Sequence, residues 1–155
     1  MADVRKIITE EDPLLRQEAV EVKRFNPVLH KLLDDMKETM YEVGGVGLAA
    51  PQIGISKRIL VMDDREEEGY CEMVNPLIIS AQGTEEGVEY CLSVLGRGGK
   101  VIRATDITIQ AQDRFGQLFT LNTQGYRARV FQHEIDHLHG RLFLDIMTEE
   151  VRDDE

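Results

Sequence analysis

A chain of 155 residues, of which 42% are hydrophobic and 30% charged, has the composition of a water-soluble globular protein and is long enough to bury one core. We therefore expect residues 1–155 to form a single domain. The formal net charge of −11 argues against direct binding to nucleic acid or to an anionic membrane. No apolar run approaches the length of a membrane span, and residues 1–13 lack the apolar core of a signal peptide, so we expect an intracellular protein.

The first predicted element is a helix in "FNPVLHKLLDDMKETMYEV", residues 25–43. Asn26 is a favourable N-cap, and Pro27 suits the first helical position. Gly44 and Gly45 end the pattern. The apolar residues that recur at helical spacing form one core-facing stripe, made of Leu29, Leu32, Leu33, Met36 and Met40.

Strands are predicted in the middle of the chain. The segment "KRILVMD" (57–63) has the apolar run of a buried strand, and "CEMVNPLIIS" (71–80) indicates a second strand that Pro76 interrupts. Residues 107–121 alternate apolar and polar side chains on both sides of a turn at 114–116. This alternation predicts a hairpin with one buried face.

A second helix is predicted from Gly125 to His139, with Gly140 as its C-terminal stop. Its apolar residues at helical spacing are Ala128, Phe131, Ile135 and Leu138. Helices on both sides of short antiparallel strands indicate the α+β class.

The segment "QHEIDHLHG" (132–140) lies in this second helix. Positions i and i+4 share one helix face, so His133 and His137 can bind one ion while Glu134 reaches a water on that ion. This H-E-x-x-H arrangement is typical of metal hydrolases, in which the glutamate is the general base. Two solvated histidines on an exposed face are the alternative, but the apolar stripe predicts that this helix is buried.

A catalytic site of this type needs a third protein ligand. His139 points away from the histidine pair, and Glu149 and Glu150 lie in an acidic tail that we expect to be solvated or frayed. The third ligand is therefore expected upstream, where Cys91 is a candidate because a thiolate with two imidazoles suits zinc or ferrous iron. A lone cysteine is also commonly a small buried apolar residue, which is our interpretation of Cys71.

Three separated segments carry a resemblance to a known family. "GVGLAAPQ" (45–52), "EYCLSV" (89–94) and "QHEIDHLHG" (132–140) are similar, in order and spacing, to the signature motifs of peptide deformylase. The resemblance implies an α+β fold with short antiparallel or mixed strands around a central metal-bearing helix. It also implies a metal-dependent hydrolase that removes the N-formyl group from the N-terminal formylmethionine of newly made polypeptides, in the cytoplasm of a bacterium.

The resemblance implies a ligand set and a base. Cys91, His133 and His137 would hold one divalent ion, Fe2+ in the cell, with Zn2+, Ni2+ or Co2+ possible in a purified sample. Glu134 would act as general base on a metal-bound water that attacks the formyl carbon.

The resemblance also implies groups that contact the substrate. The Gln52 side-chain amide and the Leu92 backbone N–H would donate to the oxyanion of the reaction. The expected lining of the peptide and methionine site is Gly45, Val46, Gly47, Tyr90, Tyr126, Arg129 and Val130. Core packing explains Val46 and Val130 equally well, and a turn after the first helix is an alternative role for the glycines. Glu89 and Arg103 would brace the cysteine segment, with a weak surface ion pair as the alternative.

Two residues depart from the family pattern: Tyr90 stands where glycine is usual, and Leu95 where proline is usual. If position 90 needs a positive φ, tyrosine strains the loop that carries Cys91; if the backbone is extended, tyrosine is tolerated there, which we favour. The implied partners are formylmethionyl nascent peptides, with a transient ribosome contact. The acidic end "EEVRDDE" (149–155) differs from the basic C-terminal helix of some members.

Two other functions stay open. One is a deformylase-like protein that keeps the metal and binds peptides with little turnover, which strain at Tyr90 would favour. The other is a zinc endopeptidase that uses the same H-E-x-x-H arrangement, although no third ligand follows that motif in the sequence.

Overall fold

A computed structural model describes residues 2–152, and over that range it has the expected α+β architecture. The helices are α1 (Pro27–Glu42) and α2 (Gly125–Leu138). The strands are β1 (Gly47–Ala49), β2 (Ile59–Asp63), β3 (Tyr70–Gln82), β4 (Glu85–Cys91), β5 (Val94–Arg103), β6 (Asp106–Gln112), β7 (Leu118–Gln124) and β8 (Glu149–Arg152). Within this range, neither helix is long and apolar enough to cross a membrane.

The strands form two sheets. The larger one has five strands in the order β1-β2-β3-β6-β7, and the smaller has three in the order β4-β5-β8. Neighbouring strands are antiparallel throughout both sheets, and a single parallel bridge joins Val20 to Lys57. In this arrangement β1 and β4 are edge strands of different sheets, and both carry parts of the predicted signature motifs.

Helix α1 confirms the sequence prediction. The side chain of Asn26 accepts a hydrogen bond from the Leu29 N–H at 3.1 Å, and Gly44 follows the helix with φ of +71°. The predicted apolar stripe is buried, with Met36 and Met40 fully inaccessible, and it packs into one core cluster with β2. Burial of that stripe, rather than helix propensity alone, stabilises α1 on the sheet.

Helix α2 lies against the larger sheet. Ala128, Phe131 and Ile135 belong to a core cluster with residues of β2, β3 and β6, so this side of the helix is apolar and closely packed. The helix ends at Leu138, and Gly140 turns the chain away with φ of +72°. Packing on one side leaves the polar residues of the predicted metal motif on another, facing the smaller sheet.

Strand β3 differs from the prediction at Pro76. The expected interruption is a bulge within a continuous strand, because the register with β6 shifts between Val74 and Leu77. Asn75 has φ of +52°, a conformation that asparagine tolerates better than most residues. Its side chain bonds both backbone groups of Val22 and so replaces ladder bonds that the bulge removes.

The acidic segment near the C-terminus also differs from the prediction. Glu149 and Glu150 are not part of a frayed tail, since they lie in β8 and pair with residues 97–100 of β5. Lys100 contacts Glu149 at 2.6 Å, and Arg97 contacts Glu150 at 2.8 Å. Strand pairing and opposite charges therefore order this segment, whereas the last three residues of the expected tail, 153–155, lie outside the described residues.

The predicted hairpin is confirmed, because β6 and β7 pair antiparallel around a turn at residues 113–117. The inward residues Ile107, Ile109 and Ala111 are buried.

Asp35 of α1 is a buried carboxylate that anchors the N-terminal segment. It is fully inaccessible and accepts hydrogen bonds from the Asp3 N–H, from Lys31 and from Arg5. Burial opposes ionisation of Asp35, but these hydrogen bonds outweigh it and lower its pKa to about 2. The ionised form is therefore the one that stabilises the fold.

We predict that Asp35→Asn lowers the free energy of unfolding by about 1–3 kcal/mol at pH 6, because buried donors lose a charged acceptor. The difference from wild type should be fully present above about pH 4, the unfolded-state pKa, and should vanish as the pH falls through 2. Urea unfolding at several pH values measures it. Asp34→Asn is the matched control, since Asp34 is half exposed; an equal effect there would contradict the assignment.

Candidate metal centre and active site

Three ligand side chains meet where β4 approaches α2. Cys91 ends β4, whereas His133 and His137 lie one turn apart on α2. Their ligand atoms all lie within 4.8 Å of one another, and the Cys91 Sγ lies 3.3 Å from the His137 Nε2. A thiolate and two imidazoles at this separation fit one tetrahedral divalent ion with a fourth position left open.

The second nitrogen of His133 is held by Glu89. The His133 Nδ1–H donates to Glu89 Oε1 at 2.8 Å, which leaves Nε2 to face the Cys91 thiol. A carboxylate behind a metal-binding histidine fixes the ring and its tautomer. The donor chemistry and this orientation together meet the requirements of a resident metal ion.

Glu89 is itself buried and fully hydrogen-bonded. Arg103 donates to both carboxylate oxygens, at 2.8 and 2.9 Å, and Arg129 donates to Oε2 at 2.8 Å. Burial opposes the charged form of Glu89, but the bonds from Arg103 and His133 hold its pKa well below the usual range. The expected contact between Glu89 and Arg103 is thus a buried pair, with both side chains about 5% exposed, and not a surface ion pair.

Glu134 adjoins the three ligands, and its buried carboxylate has a raised proton affinity. It is 5% exposed, and its Oε1 has no hydrogen-bond partner among the described residues. Burial raises the pKa of Glu134 to about 7. An unpartnered buried carboxylate costs stability, so its retention here indicates a chemical role.

Gln52 reaches the site from the other sheet. It follows β1 in a one-turn helix, and its Oε1 accepts from the Ala49 N–H at 2.9 Å. This bond fixes the amide, whose Nε2 donates towards the Cys91 Sγ at 3.5 Å and the Ser93 Oγ at 3.2 Å. Leu92 follows Cys91 in the two-residue turn between β4 and β5. Both predicted oxyanion donors therefore lie beside the metal ligands.

A cleft of about 430 Å³ opens onto these groups. It is lined by every residue predicted to contact the substrate: Gly45, Val46, Gly47, Tyr90, Tyr126, Arg129 and Val130. Further lining residues were not predicted from the sequence, among them Val88, Val94, Gly96 and Arg97. Val88 was detectable in principle, because alternation along β4 places it on the same face as Tyr90.

Arg129 lines the cleft, but its charged end is used for bracing. Besides Glu89, it donates to the backbone carbonyls of Val101 at 2.9 Å and Glu85 at 2.7 Å. A Cβ at Gly87 would lie 3.0 Å from the Arg129 Cζ, so the guanidinium needs a glycine in β4. Arg129 thus holds β4 to α2.

Tyr90 does not strain the ligand strand. It lies within β4, and its φ is not positive. The extended conformation that we favoured from the sequence is the one observed, so a tyrosine at this position leaves Cys91 in place.

Comparisons of sequence identify similar proteins. Residues 4–153 match the sequence model of the family described as polypeptide deformylase. A peptide deformylase of Halothermothrix orenii is 49% identical over 134 residues, covering 86% of this chain and 87% of that protein. A peptide deformylase of Caldicellulosiruptor bescii is 48% identical, covering 98% of this chain and 90% of that protein.

Solved structures show the same fold. A peptide deformylase from Legionella pneumophila has a TM-score of 0.90 at 44% identity, covering 94% of this chain and 86% of that one. The Thermotoga maritima peptide deformylase also has a TM-score of 0.90, at 40% identity, covering 94% of this chain and 98% of that one. An Acinetobacter baumannii class I type b peptide deformylase with Met-Ala-Ser bound has a TM-score of 0.88 at 33% identity, covering 95% and 100%.

The glycine at position 47 makes room for Glu134. A Cβ there would lie 2.7 Å from Glu134 Oε2 and 3.0 Å from the Val130 Cγ1. Gly47→Ala should therefore displace the carboxylate and lower the free energy of unfolding by about 1–3 kcal/mol, the usual cost of overpacking. A crystal structure of the variant and thermal unfolding measure both effects.

Gly45→Ala is the matched control for that substitution, because a Cβ at Gly45 meets only the movable end of Leu92, at 2.9 Å. If Gly47→Ala leaves Glu134 in place and costs no more than Gly45→Ala, the proposed packing between Gly47 and Glu134 is wrong.

Proposed function

The chain belongs to the polypeptide deformylase family, and from that premise we propose that Glu134 is the general base of its reaction. The enzyme is a hydrolase that removes the formyl group from N-formylmethionine peptides. The observation that supports the assignment most directly is the buried carboxylate of Glu134, unpartnered at Oε1, beside three convergent metal ligands.

Cys91, His133 and His137 would hold the ion, and the ion when bound supplies the Lewis acidity that activates water and polarises the formyl carbonyl. The negative charge of the Cys91 thiolate would neutralise one of the two positive charges of the ion. We infer Fe2+ as the ion in the cell, with Zn2+, Ni2+ or Co2+ able to occupy the same donors, since imidazole and thiolate suit all of these metals.

Glu134 performs the proton transfers. Its carboxylate takes a proton from the attacking water and then delivers it to the amine nitrogen as the bond to the formyl carbon breaks. The free amine of the peptide and formate are the products. Because Glu134 is only 5% exposed, bulk solvent has little access to compete for this proton.

Gln52 and the Leu92 backbone N–H stabilise the oxyanion that forms on the formyl oxygen. The bond from the Ala49 N–H fixes the orientation of the Gln52 amide before substrate arrives, so only the Nε2–H that donates towards the Cys91 Sγ has to change partner. Loss of one such donor typically slows an acyl-transfer reaction by about 10²–10³-fold.

The cleft between β1 and β4 suits an extended peptide. Both strands are sheet edges, so each presents backbone groups that a peptide can pair with in strand fashion. Val46 and Val130 supply apolar surface at the cleft wall for the methionine side chain, in addition to their core contacts.

We infer that residues 1–155 work as one catalytic domain in the bacterial cytoplasm, where formylmethionyl nascent peptides are made. A transient ribosome contact belongs to the same proposal. The acidic strand β8 does not supply a basic surface for it, so such a contact would use another part of the molecule.

The two alternative functions lose their support. Binding without turnover depended on strain at Tyr90, and Tyr90 is extended and unstrained. Zinc endopeptidases with the H-E-x-x-H motif typically take their third ligand from a residue downstream of it. In this chain the third candidate ligand, Cys91, lies upstream of the histidines.

Release of formate from formyl-Met-Ala-Ser by anaerobically prepared, Fe2+-loaded protein tests the proposal, with Glu134→Ala and Glu134→Gln alongside. Both variants should keep one metal ion per chain and lose about 10²–10⁴-fold or more in kcat. Metal-free wild-type protein is the control for the ion. Loss of the metal in the Glu134 variants, or an unchanged kcat, would contradict the role assigned to this residue.

A further inference from the structure

The outer face of β4 carries two exposed apolar side chains beside the cleft. Successive side chains of a strand point to opposite faces. Glu89 points inward, where it bonds His133, so Val88 and Tyr90 point outward. They are 46% and 55% exposed, and both line the cleft.

The ring of Tyr90 is held in place by the neighbouring strand. Tyr90 lies opposite Gly98 of β5, and a Cβ on Gly98 would lie 2.5 Å from the Tyr90 Cε1 and 2.8 Å from its Cδ1. The ring therefore covers Gly98, which is buried although it has no side chain. Contact with a strand glycine restricts the rotamers open to an aromatic ring, so we expect this ring to be positioned before a ligand binds.

The free edge of β4 determines which substrate side chain meets this ring. Among the described residues, β4 pairs only with β5, so its other edge is open to a peptide. A peptide added to that edge points its side chains alternately inward and outward. With the formyl group at the metal ligands and the methionine side chain inward, the second residue points outward, beside Val88 and Tyr90.

The basic side chains around this outer face are already paired with carboxylates. Lys100, opposite Val88, contacts Glu149 at 2.6 Å. Arg97, at the cleft, contacts Glu150 at 2.8 Å and Glu10 at 3.5 Å. Glu86, on the same face of β4, accepts from the Thr148 hydroxyl at 2.8 Å and carries a negative charge that would repel an acidic side chain. The face therefore offers apolar and aromatic surface, and the exposed carboxylate of Glu86 disfavours an acidic substrate residue.

On the basis of the deformylase function, we propose that Tyr90, supported by Gly98 and extended by Val88, is a specificity-determining residue that favours an aromatic or large apolar side chain at the second position of the substrate. A preordered ring gives a stacking surface at low entropic cost, and contacts between aromatic rings change affinity by about three- to ten-fold. The effect should appear in kcat/KM, because the contact is made whenever the peptide is bound.

Formyl-Met-Phe-Ser, formyl-Met-Ala-Ser and formyl-Met-Asp-Ser distinguish the possibilities. Wild-type enzyme should show a kcat/KM about three- to ten-fold higher for the Phe peptide than for the Ala peptide, with the Asp peptide lowest. Tyr90→Phe keeps the ring and should keep the preference. Tyr90→Thr keeps strand propensity without the ring and should bring the Phe-to-Ala ratio close to one.

Phe115→Leu is the matched control, because Phe115 is an aromatic residue that is 73% exposed and lies outside the cleft. It should leave the ratio unchanged. A wild-type ratio near one, or a ratio that survives in Tyr90→Thr, would overturn the proposal. If Tyr90→Thr does not fold, Val88→Thr replaces a methyl group beside the ring with a hydroxyl of similar size and makes this surface more polar. It should lower the ratio, and an unchanged ratio there would equally overturn the proposal.

Binding of the product peptides Met-Phe-Ser and Met-Ala-Ser to the metal-loaded protein, measured by calorimetry, separates this inference from the enzymatic function. A preference for Met-Phe-Ser that depends on Tyr90 would support the proposed role of Tyr90 even if no formate were released. In that case only the proposed reaction would fail. Equal affinity for the two peptides would overturn the proposed role of Tyr90, whatever the enzymatic activity.

Discussion

The buried carboxylate of Glu89 is the contact on which the rest of the site depends. Each of its oxygens accepts two hydrogen bonds, from Arg103, Arg129 and His133. A buried charge is stable only when it is paired and hydrogen-bonded in this complete way. Since Glu89 belongs to β4, Arg103 to β5 and the other two residues to α2, one side chain joins the smaller sheet to the helix that provides two metal ligands.

That junction explains why the proposed active site lies between two sheet edges. Cys91 ends an edge strand of the smaller sheet and Leu92 follows it. Gly47 lies in the edge strand of the larger sheet, and Gln52 lies just after that strand. Helix α2 lies against the larger sheet and is hydrogen-bonded to the smaller one through Glu89, so it sets the distance between the edge strands β1 and β4. The same distance leaves the cleft in which we propose that a strand-like peptide binds, and Glu134 lines that cleft beside the metal ligands.

The sequence predicted best what depends on near neighbours in the chain. The helices, the hairpin and the i, i+4 histidine pair follow from local periodicity, and the structure confirms them. Donor chemistry made Cys91 a candidate, but the family resemblance was needed to choose it, because no spacing rule joins it to His133, 42 positions away. The strand formed by Glu149–Arg152 was missed, and the interruption predicted at Pro76 is a bulge within a continuous strand; both outcomes depend on a distant partner strand. The bracing role of Arg129 was missed for the same reason, as its acceptors lie on β4 and β5.

The most direct test of the central claim is the affinity of the metal-free protein for Zn2+ with Glu89→Gln, measured by competition with a chelator on samples whose circular dichroism matches the wild type. If Glu89 orients His133, the variant should bind the ion about 10–100-fold more weakly, as is usual when the partner of a ligand histidine is lost. A folded Glu89→Gln protein that binds Zn2+ as tightly as the wild type would contradict the claim that this carboxylate organises the site.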